Sequence, residues 1–282
     1  IRSFRRNWLD QDPNTHKWNR IKRWRLDEFR EMTKDFIIRR EKSILNLPAF
    51  RRTFERISFE DDTLRQAYNK ALDDLQKKTE SESDPDGKYN FFDVEANLMT
   101  LRRICGMAKI PFALEYVETF LDTTEDEKIA IGVHHEAVRD ALYFALKEKG
   151  FAPLKLSGED NAENKNRIQR LFCDDPERRV LIINMLAGGV GLNLQACNNT
   201  LILERQWSAA DEEQFEARFH RSGQTKPVLA EYMIAEGTID QYFMELVENK
   251  RQICGESLDG WDFKADSDTL RDLVTQTLSK RL

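Results

Sequence analysis

From Glu127 onward, short apolar, β-rich runs alternate with helical windows, and this alternation restricts the fold more than any other feature of the chain. "KIAIGVHH" precedes "EAVRDALYFALKEKG", "APLKLSG" precedes "NKNRIQRLFCDD", and "RRVLIINM" empties into a glycine-rich turn. After that turn come "NTLILER", "DEEQFEARFH", "PVLAEYMIA" and "TIDQYFMELVENKRQIC". Strand, helix, strand, helix at this spacing builds βαβ units, hence a parallel sheet with helices on both faces. Runs such as Val180 to Ile183 and Leu201 to Leu203 lack polar alternation, as strands covered on both sides do.

Up to about Thr124 the periodicity is helical. "LDEFREMTKDFIIRR", "DTLRQAYNKALDDLQKK" and "VEANLMTLRRIC" carry apolar residues at three- and four-residue spacing. The polar run "TESESDPDGK", residues 79–88, reads as a surface loop. The net charge of −6 hides an asymmetry: residues 1–57 hold 16 Lys/Arg against 8 Asp/Glu, a local +8, which leaves −14 for the remainder. A basic segment on an acidic chain is a candidate nucleic-acid surface, with a solvated helical face as the alternative.

Other features narrow the class by exclusion. No run of about 18 apolar residues occurs, so no membrane span is expected. Cys105, Cys173, Cys197 and Cys254 lie far apart without C-x-x-C spacing, as expected of reduced, mostly buried thiols in an intracellular protein. On a strand the adjacent His134 and His135 face opposite ways, so no metal site is expected there. The chain opens with "IRSFRRNWLD", without an initiator Met, which points to a fragment of something longer.

The turn "AGGVGLNL", Ala187 to Leu194, is the first candidate site. A P-loop requires G-x-x-x-x-G-K-[ST], and no such motif occurs in the chain. A dinucleotide fingerprint starting at Gly189 and Gly191 reaches Leu194 in place of its third glycine, and Glu204 arrives too soon for the ribose acid. Two readings stay open. Backbone N–H groups around Gly188, Gly189 and Gly191 form an anion-binding concavity for a phosphate presented by something else, or the glycines only turn the chain.

Downstream lies "DEEQFEARFHRSGQTKPV". If it is a helix ended by Gly223, then Gln214, Arg218 and Arg221 stand in one row, with Phe215 and Phe219 on the core side. Two arginines and an amide in register make a planar, multidentate anion grip. His220 lies off the row. The neighbouring Glu212, Glu213 and Glu216 also fit a solvated, salt-bridged helix.

These residues resemble a known family. "ILERQWSAADEEQFEARFHRSGQTKPV" is similar to the W-N-P…Q-A-x-x-R-x-H-R-x-G-Q block of Swi/Snf-type ATPases, a branch of the superfamily-two helicases, and "INMLAGGVGLNLQAC" resembles the block before it. "FIIRREKSILNLP", "LMTLRRICG" and "EGTIDQYFMELVENKRQICGESLDG" resemble the family's linker, helical insert and brace helix. Five blocks in family order cover nearly the whole chain.

The resemblance implies an α/β, RecA-like lobe preceded by a helical basic region and insert. Its boundaries would be a basic linker over 1–57, an insert over 58–124, the lobe with its brace helix over 125–253, and a tail over 254–282. The family binds ATP, Mg²⁺ and double-stranded DNA across two such lobes. The first lobe carries the P-loop lysine and the Mg²⁺-holding acids, so this chain would be the second and inactive alone. Arg218 and Arg221 would be arginine fingers, with Gln224 orienting the transferred group. Gly188, Gly189, Gly191 and Asn193 would couple nucleotide to DNA. Ser157, Gly158, Lys165 and Trp207 would approach DNA, and Arg39, Arg40 and Lys42 the phosphate backbone or the lobe hinge. The partners implied are duplex DNA and the first lobe, and a larger complex is compatible with both. The location would be cytoplasmic in a bacterium and nuclear in a eukaryote. The alternative is a non-catalytic DNA- or protein-binding module that keeps the lobe fold. Phe215, Ala217, Ser222, Lys165, Glu204 and Arg205 depart from the usual family residues, but none removes a finger.

Overall fold

The computed structural model describes residues 2–11, 18–36, 42–81, 91–187, 191–256 and 277–278. At the N-terminus, α1 (Arg2–Trp8) and α2 (Leu26–Thr33) flank the antiparallel pair β1 (Leu9–Gln11) and β2 (Trp18–Ile21). Trp8 and Phe29 meet edge to face at 5.5 Å, and the Arg25 guanidinium lies 3.9 Å from the Trp8 ring centre. Then come β3 (Phe50–Ile57), α3 (Asp62–Ser81), α4 (Phe91–Ala108) and α5 (Ile110–Thr123). Beyond them alternate β4 (Ile129–Val133), α6 (Glu136–Glu148), β5 (Leu154–Leu156), α7 (Ala162–Asp174) and β6 (Val180–Asn184). The chain continues through β7 (Asn199–Ile202), α8 (Ala209–Glu216), β8 (Val228–Ala235) and α9 (Ile239–Glu256).

Six strands form one sheet in the order β3-β8-β7-β4-β6-β5, and every neighbouring pair is parallel. Successive side chains on a strand point to opposite faces, so parity decides which core each residue joins. Ile129, Ile131, Val133, Val180, Ile182, Leu201, Leu203 and Met233 pack with α5 and α6. Their neighbours Ala130, Leu181, Ile183, Ile202, Ala230, Tyr232 and Ile234 pack on the other face with Ile168, Phe172, Phe215 and Phe219. The central strands are therefore apolar on both faces, which is why they read as continuous runs. Each fully buried Leu or Ile here contributes roughly 1.5–3 kcal/mol relative to exposure.

A third core joins the insert to the C-terminal helix: Leu75 of α3, Leu98 and Leu101 of α4, and Phe243 and Val247 of α9 are buried together. Lys109, 1% exposed between α4 and α5, ties this unit to the sheet. Its Nζ donates to the Leu203 carbonyl, to the Met233 carbonyl at 3.2 Å and to Asp240 Oδ2 at 2.5 Å. A lysine so fully enclosed is tolerable only because all of its partners are oxygens.

Phe50–Ile57, which the sequence assigns to the linker and its helical texture, is the edge strand of the main sheet, in register with Val228–Ala235. Arg51, Arg52, Glu55 and Arg56 obscure its alternation, and Ile57 is its one buried residue. Residues 79–81 of the expected loop belong to α3, and 82–88 lie outside the described residues. No described helix is long and apolar enough to cross a membrane.

Candidate functional site

The arginine-bearing segment does not form one long helix. Ser208 caps α8, its Oγ accepting from the backbone N–H groups of Ala210 and Asp211. The helix stops at Glu216, where the chain tightens: the Arg218 N–H donates to the Phe215 carbonyl at 3.0 Å and the Phe219 N–H to the Glu216 carbonyl at 3.1 Å. Gln214, Arg218 and Arg221 therefore do not share a helical row, and Gly223, at φ +99°, sits in a later turn. Phe215 and Phe219 are buried as expected, and His220 Nε2 donates to the Pro48 carbonyl at 2.8 Å.

The compact turn brings the arginines to the glycine segment by another route. The Leu194 N–H donates to the Arg218 carbonyl at 3.1 Å. Arg221 Nη1 donates to Asn193 Oδ1 and, at 3.4 Å, to the Leu192 carbonyl. The Asn193 N–H in turn donates to Gln169 Oε1 of α7 at 2.9 Å. Gly191 adopts φ +71°, a conformation that favours glycine, with open space where a Cβ would lie. Burial and the neighbouring Arg221 charge both lower the Arg218 pKa. Two guanidinium groups that repel each other beside a glycine turn form a site that an anion would stabilise. Gly188 and Gly189 lie outside the described residues.

Gln224 does not point outward as an orienting group. Its Nε2 donates to the carbonyls of Gln195 and Cys197 at 3.1 Å and of Phe219 at 3.2 Å. Its Oε1 accepts from the N–H groups of Thr225 and Lys226, both at 3.0 Å. The amide is used up in clamping the arginine turn against the segment before β7.

In a parallel sheet all C-terminal strand ends lie along one edge, and Ser157, Gly158 and Trp207 follow such ends. The β5–α7 turn holds Ser157 and Gly158. The Ser157 N–H donates to Asp160 Oδ2 at 2.6 Å, and Lys165 Nζ reaches the Gly158 carbonyl at 3.3 Å. Trp207 follows β7 but is half buried, 4.6 Å from the Phe243 ring centre and 5.3 Å from the Arg102 guanidinium, so its side chain packs against α4 and α9. Arg39 and Arg40 lie outside the described residues; Lys42 begins a short 3₁₀ turn, Lys42–Leu45.

Sequence reasoning weighed Glu204 only as a ribose acid and missed its place beside the two histidines. His134 and His135 do not face opposite ways, because β4 ends at Val133 and their rings stand 4.8 Å apart at the entry to α6. Glu204, 3% exposed, receives the N–H groups of His134 at 2.8 Å and His135 at 2.9 Å, with His135 Nδ1 at 2.6 Å. Burial works to raise the Glu204 carboxyl, but the bonds and charge of His135 carry it below its ordinary value. The His134 ring is pushed down to about 4, first by burial and then by the charges of Arg102 and His135.

Because the unfolded chain titrates His134 near 6.5, it binds the extra proton between that pH and about 4. Stability at this position is therefore present above pH 6.5 and falls as pH drops through the window, by a few kcal/mol at most, at about 1.4 kcal/mol per pH unit. Urea unfolding at stepped pH should show this slope, and His134→Gln should flatten its upper part. An unaltered slope in the variant would remove the assignment.

The six-stranded parallel sheet and its two helical layers form a RecA-like lobe. Residues 113–223 match the helicase conserved C-terminal domain. The chain is 26% identical over 237 residues to the human DNA annealing helicase and endonuclease ZRANB3, covering 83% of this chain and 21% of that protein. It is 30% identical over 152 residues to the Saccharomyces cerevisiae ATP-dependent helicase ULS1, covering 54% and 9%. The chain thus spans a small part of the curated relatives it matches.

In three dimensions it resembles the C-terminal part of the Fun30 ATPase domain, with TM-score 0.64, 16% identity and coverage of 83% of this chain and 100% of that one. The Sulfolobus solfataricus SWI2/SNF2 ATPase core in complex with dsDNA gives TM-score 0.64 at 22% identity, covering 90% and 55%. Over most of its length the chain is thus similar to SWI2/SNF2-type ATPases, with the helicase conserved C-terminal domain at its centre.

Proposed function

We propose that this chain is the second motor lobe of an ATP-dependent translocase on double-stranded DNA, supplying Arg218 and Arg221 to ATP held, with Mg²⁺, by a first lobe. The observation that carries the reading is the docking of the arginine turn on the glycine segment, through Arg221 to Asn193 and Leu192 and through Leu194 to Arg218. As the bond from the γ-phosphoryl group to ADP breaks, charge spreads over its oxygens, and a positioned guanidinium stabilises that charge. Mg²⁺ would be held by the first lobe and would neutralise phosphate charge there. Hydrolysis then requires the lobes to close.

The glycine segment continues from β6, whose C-terminal end lies on the same sheet edge as Ser157 and Gly158, so closure would be felt by a DNA backbone seated there. Contacts of this kind, from Ser157, Gly158 and Lys165 and from the basic segment around Arg39, Arg40 and Lys42, position a protein on phosphates without reading sequence. Gln224 and Trp207 serve as braces in this account. Such a lobe would work inside the cell, where the DNA is. The chain alone should show negligible ATP hydrolysis; turnover at the rate of a complete two-lobe motor would defeat the division of labour.

A further inference from the structure

Between α5 and the β3–β8 margin of the sheet lies an open cavity of about 560 Å³ that shares no lining residue with the arginine turn or the β5–α7 turn. Ile57 and Met233, 5% and 2% exposed, form part of its base. Phe112, Tyr116 and Phe120 recur every fourth residue along α5 and so stand in a row along it. Three carboxylates line the same space: Glu55 from β3, Glu115 from α5 and Glu231 from β8. Tyr116 Oη donates to Glu231 Oε2 at 3.1 Å. Among the described lining residues the one cation, Arg56, is turned to Glu236, at 3.5 Å. Burial and the neighbouring Glu55 charge raise the Glu231 pKa, against the hydrogen bond from Tyr116. With Arg56 turned to Glu236, no other cation among the described lining residues offsets the three carboxylates.

Beside this cavity runs the outer edge of β3, which has no strand partner among the described residues. An unpaired edge offers main-chain donors and acceptors to an extended segment, and aromatic faces with carboxylates at the rim attract a cation with an apolar stem. We propose that this groove docks an extended segment of a partner protein, its main chain along the free edge of β3 and an arginine or lysine side chain in the aromatic, carboxylate-lined cavity. The cavity volume falls within the range of sites that enclose a ligand group of that size. A nucleic-acid backbone is a poor occupant, since the carboxylates would repel its phosphates. The proposal is independent of the ATP and DNA reading.

The test is an amide NMR titration of the ¹⁵N-labelled chain with the blocked peptide Val-Arg-Val-Arg-Val, its Val-Glu-Val-Glu-Val counterpart, and spermine. The arginine peptide should perturb amides within 50–57 and 112–123, and the glutamate peptide should leave them in place. Glu55→Gln with Glu115→Gln, both at exposed positions, should weaken the arginine peptide about tenfold without disturbing the rest of the spectrum. Equal binding of the glutamate peptide, perturbation centred elsewhere, or undiminished affinity in the double variant would overturn the proposal. Spermine occupying the same amides at least as tightly would also overturn it, making this a site for small cations.

Discussion

Arg221→Ala in the intact protein should lower DNA-stimulated ATP hydrolysis by roughly 10³–10⁵-fold while leaving ATP binding largely in place. Arginine fingers in well-studied phosphoryl-transfer enzymes supply that range, equivalent to about 4–7 kcal/mol of transition-state stabilisation. The ground state loses little, because the guanidinium acts where charge spreads during bond breaking and ATP would be gripped by the other lobe. In this structure Arg221 is held by neutral acceptors, Asn193 Oδ1 and the Leu192 carbonyl, which it can exchange for phosphate oxygens on closure. The measurement is steady-state hydrolysis beside nucleotide affinity for wild type and variant. Collapsed affinity with persisting turnover would mean that the side chain binds ground-state nucleotide.

The largest stability effect is expected at Glu212, which is 0% exposed. Its carboxylate accepts from Arg205 Nε at 2.9 Å and Nη2 at 2.6 Å, from the Gln206 N–H at 3.1 Å and from Arg251 Nη2 at 2.7 Å. It joins the end of β7, α8 and α9, and so anchors the helix that leads into the arginine turn. Glu212→Ala leaves Arg205, 4% exposed, with Glu248 as its one remaining counter-charge among the described residues. Removing one partner of a buried pair costs about 3–5 kcal/mol, a large share of the ~5–15 kcal/mol that holds a typical domain folded. Glu118→Ala, which breaks the exposed pair with Lys149, should cost under about 1 kcal/mol. Urea unfolding of both variants decides the matter, and similar small losses would show that the buried network is not what fixes α8.

Glu212 and its neighbour Glu216 mark where the sequence stops being legible. Continuous apolar strands and intervening amphipathic helices are properties of neighbouring residues, so the alternation from Glu127 onward translates directly into the sheet and its two helical layers. Glu212 and Glu216 in sequence are ordinary acids of a solvated helix. They are buried because their partners arrive from elsewhere: Arg205 lies 7 residues away, Arg251 39, and Arg52 on the edge strand 164. The ion pair of Arg52 with Glu216 also helps explain why Phe50–Ile57 belongs to the sheet despite its charged texture, since one of its four charged side chains is spent on α8.

Spacing finds the arginines but not the turn that presents them. The helix ends at Glu216 where Phe215 and Phe219 are both drawn into the core, a demand of tertiary packing that no local periodicity reports. Gln224 shows the same limit from the other side. Its motif neighbours suggest chemistry, whereas the backbone around it consumes every hydrogen bond the amide can make.

The central claim is that this lobe completes an ATPase whose phosphate grip lies on another lobe and whose track is duplex DNA. Steady-state ATP hydrolysis by the intact protein, with and without duplex DNA and beside the isolated chain, tests it most directly. The account predicts turnover in the intact protein that rises when duplex is added and is negligible for the chain alone. An intact protein without turnover under both conditions would contradict it, and would leave the fold as a binding module that keeps the lobe without the reaction.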